Sequence, residues 1–128
     1  MLVYIIDDDK IFAECLERFL RVAEKDMTQF IVKHFSNVID AVAEMNGEVP
    51  DVIFLDILLD GPDGFTLLNE MASYDDTARV PIVIVSSLDI RRDLKDYGVV
   101  AVLDKATMTP EEVGAVLRDL HDGGSQDE

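Results

Sequence analysis

Five short apolar runs punctuate the chain, and between them lie longer segments where apolar residues recur every three or four positions. The runs are Leu2–Ile6, residues 29–35 (Phe30, Ile31, Val32, then Phe35), Val52–Leu55, residues 82–85 and residues 99–103. Each is too short for a helix and rich in β-branched or aromatic types. Val52–Leu55 and residues 82–85 show no polar alternation, the pattern of strands buried on both faces of a parallel sheet.

The intervening segments read as helices. Over residues 10–25, Phe12, Leu16, Phe19 and Ala23 form an apolar stripe, with Glu14, Glu17, Arg18 and Arg21 outside it. Ser36 or Asn37 caps a second helix carrying Val38, Ala41, Val42 and Met45 on one face. After the turn cluster Asp60-Gly61-Pro62-Asp63-Gly64, a third helix carries Phe65, Leu68 and Met71. Ile90, Leu94 and Tyr97 give a short fourth helix that Gly98 ends. Thr109-Pro110-Glu111-Glu112 is a capping box with proline in the first turn, and Val113, Val116, Leu117 and Leu120 line the helix it opens. Strand followed by helix, five times over, predicts a doubly wound α/β fold. Its five-stranded parallel sheet has helices on both faces and right-handed crossovers.

Composition narrows the class. With 128 residues, 48% of them hydrophobic, the chain builds one core and not two. Residues 1–121 are expected to form the domain and residues 122–128 a flexible tail or the start of a linker. No apolar run approaches the roughly 20 residues that span a bilayer, and the N-terminus lacks a basic lead and cleavage signal. The cytoplasm, without membrane insertion, is therefore the expected location. A single cysteine, Cys15, excludes an internal disulfide. The net charge of −16 argues against direct binding of nucleic acid and suits a cation, or a partner with a basic patch.

Candidate chemistry gathers at the strand ends. Four of the five runs stop at polar groups: Asp7-Asp8-Asp9, Asp56, Ser86-Ser87 and Asp104-Lys105. Parallel strands bring these ends to one rim, where open α/β sheets bind ligands. Carboxylates crowded there raise one another's pKa values unless a cation lies among them. Oxygen ligands without His or Cys suit Mg²⁺. Lys105 and the Ser86 hydroxyl, opposite, are suited to anionic oxygens, so the set fits phosphoryl transfer to a carboxylate.

These residues together resemble the receiver domain of two-component response regulators. The matching pieces are Ile5-Ile6-Asp7-Asp8, Asp56 after the third strand, the Asp63-Gly64 turn, Ser86-Ser87 and Lys105. The resemblance implies a flavodoxin-like strand order 2-1-3-4-5 and a phosphorylation-dependent switch, not an enzyme acting on a separate substrate. It makes Asp56 the phosphoryl acceptor, Ser86 the switch hydroxyl and Lys105 the cation paired with Asp56. Mg²⁺ would be held by Asp8 directly, by Asp7 through water, by Asp56 and by the Leu58 backbone carbonyl. Asp9 would be a loop residue. The implied partners are a histidine kinase or histidine phosphotransfer protein as donor and a downstream protein as receiver of the signal.

Some positions depart from the family pattern. Ala106 follows the lysine where proline is usual, so its peptide bond is expected to be trans. Val102 occupies a position often held by Tyr or Phe. The segment from Ser86 to Lys105 is short, and Leu58 and Leu88 stand at positions often polar. Two other readings stay open. One is a receiver-like scaffold that works without phosphorylation. The other is a haloacid-dehalogenase-like phosphatase using Asp7-Asp8-Asp9, although the chain is short for that class and lacks a further acidic pair after the lysine.

Overall fold

The computed structural model describes residues 1–57, 64–87 and 94–123. Its elements are β1 (Leu2–Ile6), α1 (Lys10–Glu24), β2 (Ile31–Phe35), α2 (Val38–Met45), β3 (Val52–Leu55), α3 (Gly64–Ala72), α4 (Asp75–Ala78), β4 (Ile82–Ser86), β5 (Val99–Asp104) and α5 (Pro110–Gly123), with a 3-10 turn at Lys95–Tyr97. All strand pairs are parallel, and the sheet order is β2-β1-β3-β4-β5. The expected doubly wound sheet and strand order are present.

Alternation along each strand divides the core into two layers. Tyr4, Ile6, Ile53, Leu55, Ile82 and Ile84 face α2 and α3, meeting Ala41, Met45, Leu67, Leu68 and Met71. Val3, Ile5, Val52, Phe54, Val83 and Val85 face α1 and α5, meeting Leu16, Leu20, Val113 and Leu117. The central strands β1, β3 and β4 are buried at every position, which is why their sequences lack polar alternation. At the sheet edge the β4–β5 register steps from Ile82↔Val99 to Val83↔Ala101, so Val100 is an extra, bulged residue.

Details differ from the periodicity. The buried ridge of α1 is Ala13, Leu16, Leu20 and Ala23, with Phe12 and Phe19 on its shoulder. Asn37, not Ser36, caps α2, its side chain accepting from the Asp40 N–H at 2.8 Å. β2 begins at Ile31, one residue after the buried Phe30. The one-turn helix α4 was not expected. Of the fourth helix anticipated around Ile90, Leu94 and Tyr97, Ile90 lies outside the described residues, and Lys95–Tyr97 is a 3-10 turn. Gly98 follows with φ +82°, a left-handed conformation that glycine adopts without penalty. The Thr109–Glu112 box is made in both directions, at 3.1 Å and 3.2 Å. α5 continues through Asp122 and Gly123, and the rest of the expected tail lies outside the described residues. Among those residues, no helix is long and apolar enough to cross a membrane.

Candidate functional site

The sheet register carries the polar strand ends to one rim. The Asp7 N–H bonds the Phe35 carbonyl at 3.0 Å, the Asp56 N–H bonds Ile6 at 2.9 Å and the Lys105 N–H bonds Ser86 at 3.0 Å. Each site residue is thus fixed as the first residue beyond the ladder, or the last within it. Asp7, Asp56 and Ser86 are 1%, 6% and 1% exposed, while Asp8 points to solvent. One carboxylate oxygen each from Asp7, Asp8 and Asp56 fall within 4.8 Å of one another.

The loop from β1 into α1 is braced by its own acids. The Asp9 N–H donates to Asp7 Oδ1 at 2.8 Å, while Asp9 Oδ1 accepts the Phe12 N–H at 3.1 Å and caps α1. Asp9, expected as a loop residue, therefore ends the loop and starts the helix. On the other side, Gly64 presses against the chain just beyond β3. A Cβ there would lie 2.8 Å from Ile57 Cα and 3.0 Å from the Asp56 carbonyl oxygen, so a side chain has no room.

Lys105 reaches across the rim. Its Nζ lies 2.7 Å from Asp7 Oδ2 and 3.2 Å from Asp56 Oδ2, to which it donates a hydrogen bond. The shorter contact is an ion pair out of line for a hydrogen bond, so the fully buried Asp7 Oδ2 has charge beside it but no aligned donor. The Phe12 ring lies under the same ammonium, 4.5 Å from Nζ to its centroid. Burial pushes Asp7 above the ordinary carboxylate range. Lys105 and the Asp9 N–H oppose that shift, and the charge of Asp56 adds to it. Burial alone would lower the Lys105 pKa, but Asp7 and Asp56 outweigh it and hold the ammonium above its usual value.

The expected residues Asp7, Asp8, Asp56, Ser86 and Lys105 are all on this rim; the three acids cluster within 4.8 Å, and Lys105 is in contact with Asp7 and Asp56. The Leu58 carbonyl, expected as a metal ligand, and the Leu88 position lie outside the described residues. No peptide bond among the described residues is cis, so Lys105–Ala106 is trans as expected. Three neighbours escaped the sequence reading. Phe12 was counted as core, His34 was given no role though its Nε2 lies 2.8 Å from the Asp7 carbonyl oxygen, and Asp104 was read only as a strand end. An Asp two residues ahead of a free N–H is a turn signal that marked Asp104 in advance. The His34 contact depends on the β1–β2 register and had no local signal.

A doubly wound sheet of order 2-1-3-4-5 with three acids and a lysine converging at its carboxyl rim defines a domain of the flavodoxin-like class. The chain belongs to the response regulator receiver domain family, whose model matches residues 3–118. Among curated proteins it is 36% identical over 53 residues to the response regulator PleD of Caulobacter vibrioides, covering 41% of this chain and 12% of PleD. It is 32% identical over 85 residues to the transcriptional regulatory protein BaeR of Escherichia coli, covering 66% of this chain and 32% of BaeR. The chain therefore spans a minor part of either relative. A putative response regulator from Chloroflexus aurantiacus has the same fold at TM-score 0.79 and 27% identity, covering 93% of this chain and 95% of that one. The receiver domain of sensor histidine kinase PA1611 from Pseudomonas aeruginosa, solved with a magnesium ion in its active-site cleft, superposes at TM-score 0.76 and 20% identity, covering 94% and 97%.

Proposed function

We propose that this domain is a phosphorylation-dependent switch that takes a phosphoryl group on Asp56 from a phosphohistidine. The donor is a histidine kinase or a histidine phosphotransfer protein, and the signal passes to a downstream protein. The observation that carries this reading is the Lys105 ammonium held between Asp7 and Asp56 at a buried rim. A structural ion pair needs one carboxylate. Here two acids face one lysine with a third close by, so among the described residues of the cluster carboxylates outnumber the cation.

That excess tests the fit of a divalent cation. The donor set is all carboxylate oxygen, and Asp7 Oδ2 is buried without an aligned donor, which suits a hard ion that keeps part of its water shell. Asp8, Asp7, Asp56 and the Leu58 carbonyl would hold Mg²⁺, as the PA1611 receiver holds magnesium in its cleft. Bound there, Mg²⁺ supplies positive charge beside the transferred phosphoryl oxygens.

The remaining chemistry belongs to the chain. A carboxylate oxygen of Asp56 attacks phosphorus, forming the new P–O bond as the P–N bond of the donor imidazole breaks. The leaving imidazole takes a proton from solvent. Lys105 already donates to Asp56 Oδ2, and its charge meets the equatorial oxygens as they gain negative charge. Ser86, at the end of the neighbouring strand, offers a hydroxyl to the product. The added group brings roughly −1.5 to −2 charge to the rim, which biases the Ser86 and Lys105 loops towards it. The domain expected over residues 1–121, with α5 running on to Gly123, would act as this unit in the cytoplasm.

The test is phosphorylation by acetyl phosphate with Mg²⁺, trapped by borohydride and located by mass spectrometry. Label on Asp56 that disappears in Asp56→Asn supports the proposal. A label on Asp7 would point to the phosphatase-like alternative, and no label with any donor would leave a phosphorylation-independent scaffold.

A further inference from the structure

Lys105 enters the site from a turn whose three following amides are all tied to a single residue. The Asp104 carboxylate Oδ1 accepts the Ala106 N–H at 2.7 Å. The Asp104 carbonyl accepts the Thr107 N–H at 3.2 Å and the Met108 N–H at 2.9 Å. Upstream, Asp104 pairs with Ser86 in the sheet. Downstream, Met108 is buried against the α1 and α5 layer, and Thr109 caps α5. The residue carrying the ammonium is thus held by its own N–H on Ser86 and followed by a turn that folds back onto Asp104.

We propose that Asp104 is a positioning residue for Lys105, its carboxylate closing the turn through the Ala106 N–H and so directing the ammonium onto Asp7 and Asp56. The geometry supplies the reason. Lys105 has four rotatable side-chain bonds and spans from the edge strand β5 past β4 to β3, so a small rotation of its main chain moves Nζ by ångströms. Ala106 and Thr107 are exposed, so no packed side chain holds this part of the turn. Past the Lys105 N–H bond to Ser86, the bond that the Ala106 N–H donates to the Asp104 carboxylate is the side-chain restraint, and charge-assisted bonds of this kind are shorter and stronger than neutral ones. It depends on residue 106 having an N–H, which alanine has and proline lacks. The importance of Lys105 to phosphoryl transfer rests on the function proposed above; its placement by Asp104 does not.

The experiment therefore reads the placement directly. N-hydroxysuccinimide acetate is applied to the metal-free protein, and acetylation of Lys105 is followed by mass spectrometry against the exposed Lys25. Asp104→Ala is expected to raise the Lys105 to Lys25 ratio about fivefold or more at unchanged helical circular dichroism. Asp104→Asn, which keeps an acceptor oxygen, is expected to stay within about twofold of the parent. An unchanged ratio in Asp104→Ala, or an equal rise in both variants, overturns the proposal. Should Asp104→Ala fail to fold, amide exchange in the unaltered protein decides. An exposed Ala106 amide that is protected supports the bond, and one exchanging at the free-peptide rate overturns it. Phosphorylation of the parent by acetyl phosphate is measured alongside. Its failure would count against Asp56 as acceptor, while the labelling ratio would still report on Asp104.

Discussion

Replacing Gly64 with alanine wedges a methyl group between the start of α3 and the chain leaving β3 at Asp56 and Ile57. The added carbon would meet Ile57 Cα at 2.8 Å, Ile57 Cδ1 at 2.9 Å and the Asp56 carbonyl oxygen at 3.0 Å. The Ile57 Cδ1 contact can be relieved by a rotamer change. The other two are main chain, and one of those groups is held in the sheet by the Asp56 N–H to Ile6 bond. Overpacking of this kind costs about 1–3 kcal/mol. Against it stands a gain of about 0.4–1 kcal/mol because alanine restricts the unfolded chain. The net is a loss of roughly 1–2 kcal/mol. With an unfolding entropy of about 2.1 cal/mol/K per residue, that lowers the melting temperature by about 4–7 °C for a chain of this length. Gly47→Ala is the matched control. Its nearest neighbour is the Glu44 carbonyl oxygen at 3.7 Å, an ordinary contact, and its φ is not positive. The same change there should be neutral or raise the melting temperature by about 1–4 °C. Thermal melts followed by circular dichroism compare the two. If Gly64→Ala melts at or above the parent, the close approach of α3 to Asp56 and Ile57 is wrong.

Other expectations follow from the charges and caps. Because Asp7 is pushed above its ordinary pKa of 3.8, chiefly by burial, its native state binds more protons than its unfolded state in the window just above that value. Its contribution to stability therefore falls as pH rises through its folded pKa. Asp7→Asn should remove that fall and melt higher than the parent at neutral pH without metal; a lower melting temperature would refute the assignment. Mg²⁺ should stabilise the parent by about 1.4 kcal/mol at ten times its dissociation constant, as a ligand of the native state alone does, and this gain should vanish in Asp7→Asn. Melts over a Mg²⁺ series check it, and no shift in the parent counts against the site. Thr109→Ala removes the cap of α5 and should cost about 0.5–2 kcal/mol in urea unfolding, without altering Mg²⁺ affinity.

Much of the fold was legible because its central strands are buried on both faces. Runs such as Val52–Leu55 have no polar position to disguise them, and a parallel sheet then aligns their ends without further information. Asp7, Asp56, Ser86 and Lys105 could be brought together from sequence for that reason alone. The ridge of α1 misled because aromatic residues weigh most in a periodicity count. A helix lying close on a sheet instead turns small residues such as Ala13 and Ala23 inward and leaves Phe12 and Phe19 at the shoulders. The helix α4 has four residues, no buried side chain and a Tyr74 cap without a side-chain bond, so neither period nor capping signals it.

What sequence could not supply is the way neighbours share the rim charge. Lys105 is named by its position, but its ammonium lies nearer to Asp7, at 2.7 Å, than to Asp56, at 3.2 Å. Sequence spacing of 98 or 49 residues says nothing of that division. The division matters because the two acids are then unequal. Asp7 is the more buried, held by the Asp9 N–H and braced through its carbonyl by His34. Asp56 accepts a longer, aligned bond from Lys105. A nucleophile must give up some of its contacts to reach phosphorus, and a deeply buried, loop-braced carboxylate does so less readily. Asp56 has the start of α3 pressed directly behind its carbonyl at Gly64, which fixes its main chain beside the Lys105 bond to Oδ2. Under the proposed function, the deeper burial and loop bracing of Asp7 suit it to hold charge in place, with Asp56 as the acid that reacts.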